Sequence, residues 1–278
     1  MATTKTDLKE LIRSTPFMWP DAIIHVFQGG SAMHGATGNK PADLDILGVY
    51  IQPVELILGI PQFRLNEEGE RRAFDPDVQI WKPNGDNAKT EAGEADLNLY
   101  SLRKWANMAA TGNTTALEFM FVQNEVGLSE PSYVWEKYII ANREHFLSKR
   151  AGFHFKEFAK AMKLRLSGGN TGKHGQRPEL EAEFGYDTKG AMHMLRVLGE
   201  GIEMMRTGYI TLPRPEAPFL KDVRNGKHTW DDVNAIAEMR FSLLDEQREK
   251  SFLPDELDRP KISNIITRAQ LEHWGLLR

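Results

Sequence analysis

Two hydrophobic rhythms run along the chain, and the change from one to the other divides it. Before about residue 125 the apolar positions come in short runs. Ile23-Ile24-His25-Val26-Phe27 reads as a buried strand, and Ala42 to Ile51, carrying Asp43 and Asp45, as a second that stops at Pro53. Asp77 to Trp81 reads as a short third strand. Glu94 to Tyr100 reads as a fourth, with Asp96, Asn98 and Tyr100 facing one way and Leu97 and Leu99 the other. Short helices are expected at 6–13, with Leu8, Leu11 and Ile12 on one face, and at 54–60. Another is expected at 101–111, begun by a capping Ser101 and ended before Gly112-Asn113. Lys82 to Gly93 is polar and reads as a loop, and the rest of 61–93 shows little pattern.

From about Pro131 the spacing becomes helical almost throughout. Phe155, Phe158, Ala159, Met162 and Leu166 form an apolar stripe, and Lys156, Lys160 and Lys163 form a charged one beside it. Ser167 to Gly175 is a glycine-rich loop. A helix from about Asp187 to Thr207 is closed by Gly208, and another runs from Trp230 to about Arg248. Pro213, Pro215 and Pro218 mark a linker. The expected class is α/β (α+β), with a strand-containing domain at 1–125 and a helical domain at 126–278. No internal repeat is visible.

The candidate chemistry lies between the first two strands. Gln28-Gly29-Gly30-Ser31 is a turn in which missing side chains let the backbone approach another group closely. Asp43 and Asp45, two residues apart, share one face of the second strand while Leu44 points to the core. Adjacent carboxylates repel and are costly to bury unless a divalent cation lies between them. The simplest reading is a magnesium site facing a backbone cradle for phosphate.

Gly30-Ser31, Gly35, Asp43-Leu44-Asp45 and Gly48-Val49 resemble the signature of the DNA polymerase beta nucleotidyltransferase superfamily. The likeness is nearer to predicted bacterial and phage nucleotidyltransferases with a helical C-terminal half. Asp96 falls where that superfamily has its third carboxylate. The helix, Gly-Asn turn and Ala116-Leu117-Glu118-Phe119-Met120-Phe121 that follow are a second match. Gly185-Tyr186-Asp187-Thr188-Lys189 with Ala191-Met192-His193 is a third, less well kept, since Gly190 stands where many relatives have His. His34 stands where an aromatic residue is usual, which favours packing over catalysis for it.

The resemblance implies a nucleotidyltransferase domain with a small mixed sheet. It also implies transfer of a nucleoside monophosphate from an NTP to an acceptor hydroxyl. Asp43 and Asp45 would hold two Mg2+ ions (or Mn2+), Asp96 would be base and second-metal ligand, and Gly30 and Ser31 would cradle the phosphates. Glu91 and Glu94 are rivals for the role of Asp96. Lys189, His193 and Arg196 share a helix face with Tyr186 and would meet triphosphate or acceptor across the cleft.

Bulk properties narrow the context. Without cysteine, disulfides and thiolate metal sites are excluded. No apolar run approaches the roughly 18 residues of a membrane span, and the N-terminus lacks the apolar core of a signal peptide, so a cytoplasmic location is expected. A net charge of −4 excludes a blanket polyanion binder. Yet nine Lys or Arg stand against two Glu between Arg143 and Arg177. That surplus, with Lys156, Lys160 and Lys163 at its centre, makes a nucleic-acid acceptor (RNA or tRNA) the leading partner beside the NTP. A protein or small-molecule acceptor is the other option. Two further readings compete: a non-catalytic nucleic-acid-binding or regulatory protein that keeps the fold, and a glycosyltransferase using Asp-x-Asp. The second is disfavoured because no long doubly wound nucleotide domain precedes the motif.

Overall fold

The computed structural model describes residues 8–37, 44–60, 63–65, 71–73, 76–83, 94–122, 129–167 and 177–277. Asp43, residues 84–93 of the polar loop and 168–176 of the glycine-rich loop lie outside them.

Helix α1 (Leu8–Arg13) buries Leu8 and Ile12. Strand β1 (Ile23–Gln28) leads into the single turn of α2 (Gly30–Met33), and β2 (Leu44–Tyr50) follows. After α3 (Val54–Leu58) come the paired short strands β3 (Phe63–Leu65) and β4 (Arg71–Ala73), then β5 (Val78–Trp81) and β6 (Ala95–Ser101). The Ser101 hydroxyl accepts the Lys104 N–H and starts α4 (Leu102–Ala110). The Asn113 side chain caps α5 (Thr114–Glu118) in the same way, and a tight turn at Phe119–Phe121 follows.

β7 (Ser129–Pro131) was not foreshadowed by any alternation. It pairs with the outer edge of β1, where Pro131 ends the strand. Irregular helical turns at Trp135–Ile139 and Ile140–Phe146 lead to α6 (Lys149–Leu166) and α7 (Pro178–Phe184). α8 (Thr188–Thr207) is capped by Asp187 and ended by Gly208 in the left-handed region. α9 (Ala217–Arg224), α10 (Trp230–Lys250) and α11 (Arg259–His273) complete the chain.

The main sheet runs β5-β6-β2-β1-β7. β2 and β6 are parallel and the other pairs antiparallel, so the sheet is mixed, as expected. Its two faces are covered differently. Ile46, Tyr50, Leu97 and Leu99 pack with α1 in a small core. Val49, with Leu47 and Tyr100 packed alongside, faces the helices in a larger core. That core continues from Ile24 and Phe27 through α4, α6 and α8 to Ala269 of α11, so both halves of the chain contribute to it. By the two-residue period, Asp45 and Asp96 lie on the face turned toward the helices.

Candidate active site

The turn after β1 is built against Asp45. The Gly29 N–H donates to the Asp45 carbonyl at 2.8 Å. Gly30 has φ of 62°, and a Cβ there would stand 1.9 Å from Asp45 Oδ2. Only glycine permits that backbone angle and that approach together. Asp45 is the register partner of Asp96 on the parallel strand β6, so the two carboxylate-bearing residues lie side by side on one face. Asp96 is buried, and Lys82 Nζ lies 3.7 Å from its Oδ2. Glu94, its rival, accepts the Leu44 N–H through its carbonyl and is half-buried, while Glu91 lies outside the described residues.

A cavity of about 590 Å³ opens from this turn. Gly30, Ser31 and Asp45 line one part of it, and Lys189, His193 and Arg196 of α8 line another. Six of the residues singled out from sequence are therefore brought together. The three on α8 do not play one role. His193 is half-buried against Phe158, and burial, then Arg196, push its pKa down to about 3. It meets the cavity as a neutral imidazole, not as a cation.

Arg196 is buried and already partnered. Its Nη1 lies 2.8 Å from Glu118 Oε1, 2.8 Å from Glu200 Oε1 and 2.6 Å from His34 Nε2. Burial and the nearby Glu200 carboxylate push Glu118 well above the usual carboxylate range. Burial opposes ionisation of Glu200 too, but there Arg196 and His34 prevail and hold it low. Arg196, expected as a triphosphate ligand, therefore stands at the cavity wall within a buried ion-pair network. His34, expected to pack, is buried in this polar network, and its pKa is pushed down to about 4, mainly by burial.

His34, Glu118 and Glu200 form a donor set of the kind that binds metals. The guanidinium sits among these atoms at hydrogen-bond distance, so a metal ion does not fit without expelling it. Two further bonds tie the helical half to this turn: Arg214 N–H to the His34 carbonyl at 3.2 Å, and Arg224 Nη1 to the Ala36 carbonyl at 3.0 Å.

The lysine stripe points elsewhere. Lys156 pairs with Asp245 and Lys163 with Glu238, both on α10, and Lys160 pairs with Glu157. Two charges of the local surplus counted in the sequence are met by carboxylates across the α6–α10 contact. Sequence reasoning missed Glu118 and Glu200, although a lone Glu inside Ala116–Phe121 is a visible signal. It also placed Phe158 in one apolar stripe with Phe155 and Met162, without separating it from them.

A glycine-serine turn packed on one carboxylate, beside a second on a parallel strand and roofed by helices, defines an α/β nucleotidyltransferase-like protein. The family model described as "RlaP: RNA repair pathway DNA polymerase beta family" matches residues 2–273, and the chain belongs to that family. This places it in the DNA polymerase beta-like nucleotidyltransferase superfamily. No curated protein and no solved structure matches it. Among the described residues, no helix is long and apolar enough to cross a membrane.

Proposed function

We propose that the protein transfers a nucleoside monophosphate from an NTP to a hydroxyl of RNA, releasing pyrophosphate. The observation that carries this reading is the Asp45 carboxylate seated against Gly30, in register with Asp96. Two carboxylates on neighbouring strands form a hard oxygen donor set, and the Lys82 ammonium beside Asp96 marks a place that accepts positive charge. The set fits a divalent cation, with Asp45 and Asp96 as ligands and Asp43 added from the sequence. Mg2+ or Mn2+ held there would supply charge neutralisation at the triphosphate and activation of the acceptor oxygen.

The chain's own groups do the rest. Backbone N–H groups at Gly30 and Ser31, with the Ser31 hydroxyl, bind the phosphates, and the Lys189 ammonium adds a cation from α8. Asp96 takes the proton of the acceptor hydroxyl as its oxygen bonds the α-phosphorus. The bond from that phosphorus to the bridging oxygen breaks, and pyrophosphate leaves. RNA as acceptor follows the family's description. Lys156, Lys160 and Lys163 are not assigned to it, because each is paired within the fold.

The test is incubation with RNA, magnesium and each α-labelled NTP. The expected result is label on RNA with the wild type and none with Asp45→Asn, whose fold is retained. Equal labelling by the two proteins, or no labelled acceptor with any NTP, refutes the reading.

A further inference from the structure

We propose that the part of the cavity walled by Phe158, Met162, Leu166, Met192 and His193 is a nucleobase slot. The Phe158 ring is its stacking surface and the His193 imidazole its hydrogen-bonding edge. The inference rests on the nucleotide reading of the same cavity and adds what selects the base.

Phe158 is the anomaly that points there. Its neighbours on α6, Phe155, Ala159 and Met162, are buried, whereas Phe158 is 39% exposed and lines the cavity. An exposed ring on a cavity wall offers what a planar ligand needs: a large apolar surface that loses little freedom on binding. His193, one wall over on α8, meets it edge to face with ring centroids 5.7 Å apart, which orients both rings. A neutral imidazole presents one N–H donor and one bare nitrogen acceptor, suited to the edge of a base and poorly suited to competing for phosphate.

Gly190 lets α8 come close to α6 at this wall. A Cβ there would lie 3.0 Å from Leu166 Cδ2, so a larger residue would push on the wall that Leu166 provides. The occupant is fixed by continuity: the same cavity reaches Gly30, Ser31 and Asp45. A ligand spanning it needs an anionic end for the turn and a flat, apolar end with a polar rim. That is the chemistry of a nucleotide.

The experiment is equilibrium binding, with magnesium, of the four NTPs and of inorganic tripolyphosphate. The proteins are the full-length wild type, Phe158→Ala, Phe158→Trp and His193→Phe. Tripolyphosphate reports the phosphate end alone. Wild type should bind at least one NTP more tightly than tripolyphosphate. Phe158→Ala should weaken NTP binding roughly 5- to 100-fold, the usual range for losing a base–aromatic stack, and leave tripolyphosphate unchanged. Phe158→Trp should restore the NTP affinity, and His193→Phe should level the ranking of the four bases. If wild type binds tripolyphosphate and NTPs equally, or Phe158→Ala weakens both alike, the slot is wrong and the transfer reading stands. If neither ligand binds, both fall.

Discussion

Replacing Gly30 with alanine puts a methyl group where the Asp45 carboxylate now lies. The added carbon would stand 1.9 Å from Asp45 Oδ2, 3.0 Å from Cγ and 3.3 Å from Cβ. Ordinary contact begins near 3.5 Å, so about 1.5 Å of separation must be found. The Asp45 backbone is held by its strand ladder and by the Gly29 N–H, so the displacement falls on the carboxylate. The φ of 62° adds a backbone term of about 1–2 kcal/mol. Gly275→Ala separates the two effects, since Gly275 has φ of 69° and nothing within 4 Å of an added Cβ. Both variants should lose a few degrees of thermal stability, about 2–6 °C for a chain of this size. Only Gly30→Ala should lose transfer of α-label, by roughly 10²-fold, because an ångström of misplacement costs about that much. Scanning calorimetry and the labelling assay read the two quantities separately. Wild-type transfer by Gly30→Ala, or equal loss in both variants, would refute the close packing of cradle and carboxylate as a requirement for chemistry.

Asp96→Ala should still bind Mg-NTP but slow transfer by roughly 10²–10⁴-fold, as for a lost positioned base; calorimetry showing no nucleotide binding would make Asp96 a primary ligand instead. Arg196→Met should cost about 3–5 kcal/mol in urea unfolding, because Glu200 is left charged and buried, and adding Glu200→Gln should recover much of it. A loss of under about 1 kcal/mol for the single change would mean that the ion pair matters little. Acid sensitivity has a stated source: burial holds His25 near 3 and His34 near 4, below the ordinary 6.5. The unfolded chain takes up those protons first, so the contribution of these two histidines to stability is full above about pH 6.5 and is lost as pH drops toward those values. His25→Phe, stacked on Trp135 as His25 is at 4.5 Å, should shallow that decline in melting temperature against pH; an unchanged profile would clear His25 of the effect.

The packing of the Gly30 turn against Asp45 was legible because its grammar is local. A turn glycine between two apolar runs and a period of two on the second strand suffice to aim Asp45. The same period aims Asp96, and the parallel pairing that brings the two together comes from contacts about 50 residues apart. The partner of Arg196 was not legible, because a helical face does not say whether it meets solvent or another chain segment. Its spacing with Lys189 and His193 suggested one shared role, whereas Glu118 and Glu200 draw Arg196 inward. Phe158 shows the same limit in reverse: three- and four-residue spacing placed it with Phe155 and Met162, and only the arrangement of α6 against α8 turns it to a cavity. β7 is too short, and too occupied by Pro131, to alternate.

His34, Glu118, Arg196 and Glu200 come from a turn and two helices, yet they share a single set of protons and charges. In evolutionary terms they form one character. A lone change at any of them strands a charge or a donor in the interior, so drift through single substitutions is blocked. Relatives that lack the arginine should also lack at least one of the carboxylates, with apolar residues taking their places together. The buried quartet thus behaves as one block, and its pattern of joint replacement across relatives would trace which lineages rebuilt the link between the Gly30 turn and the helices.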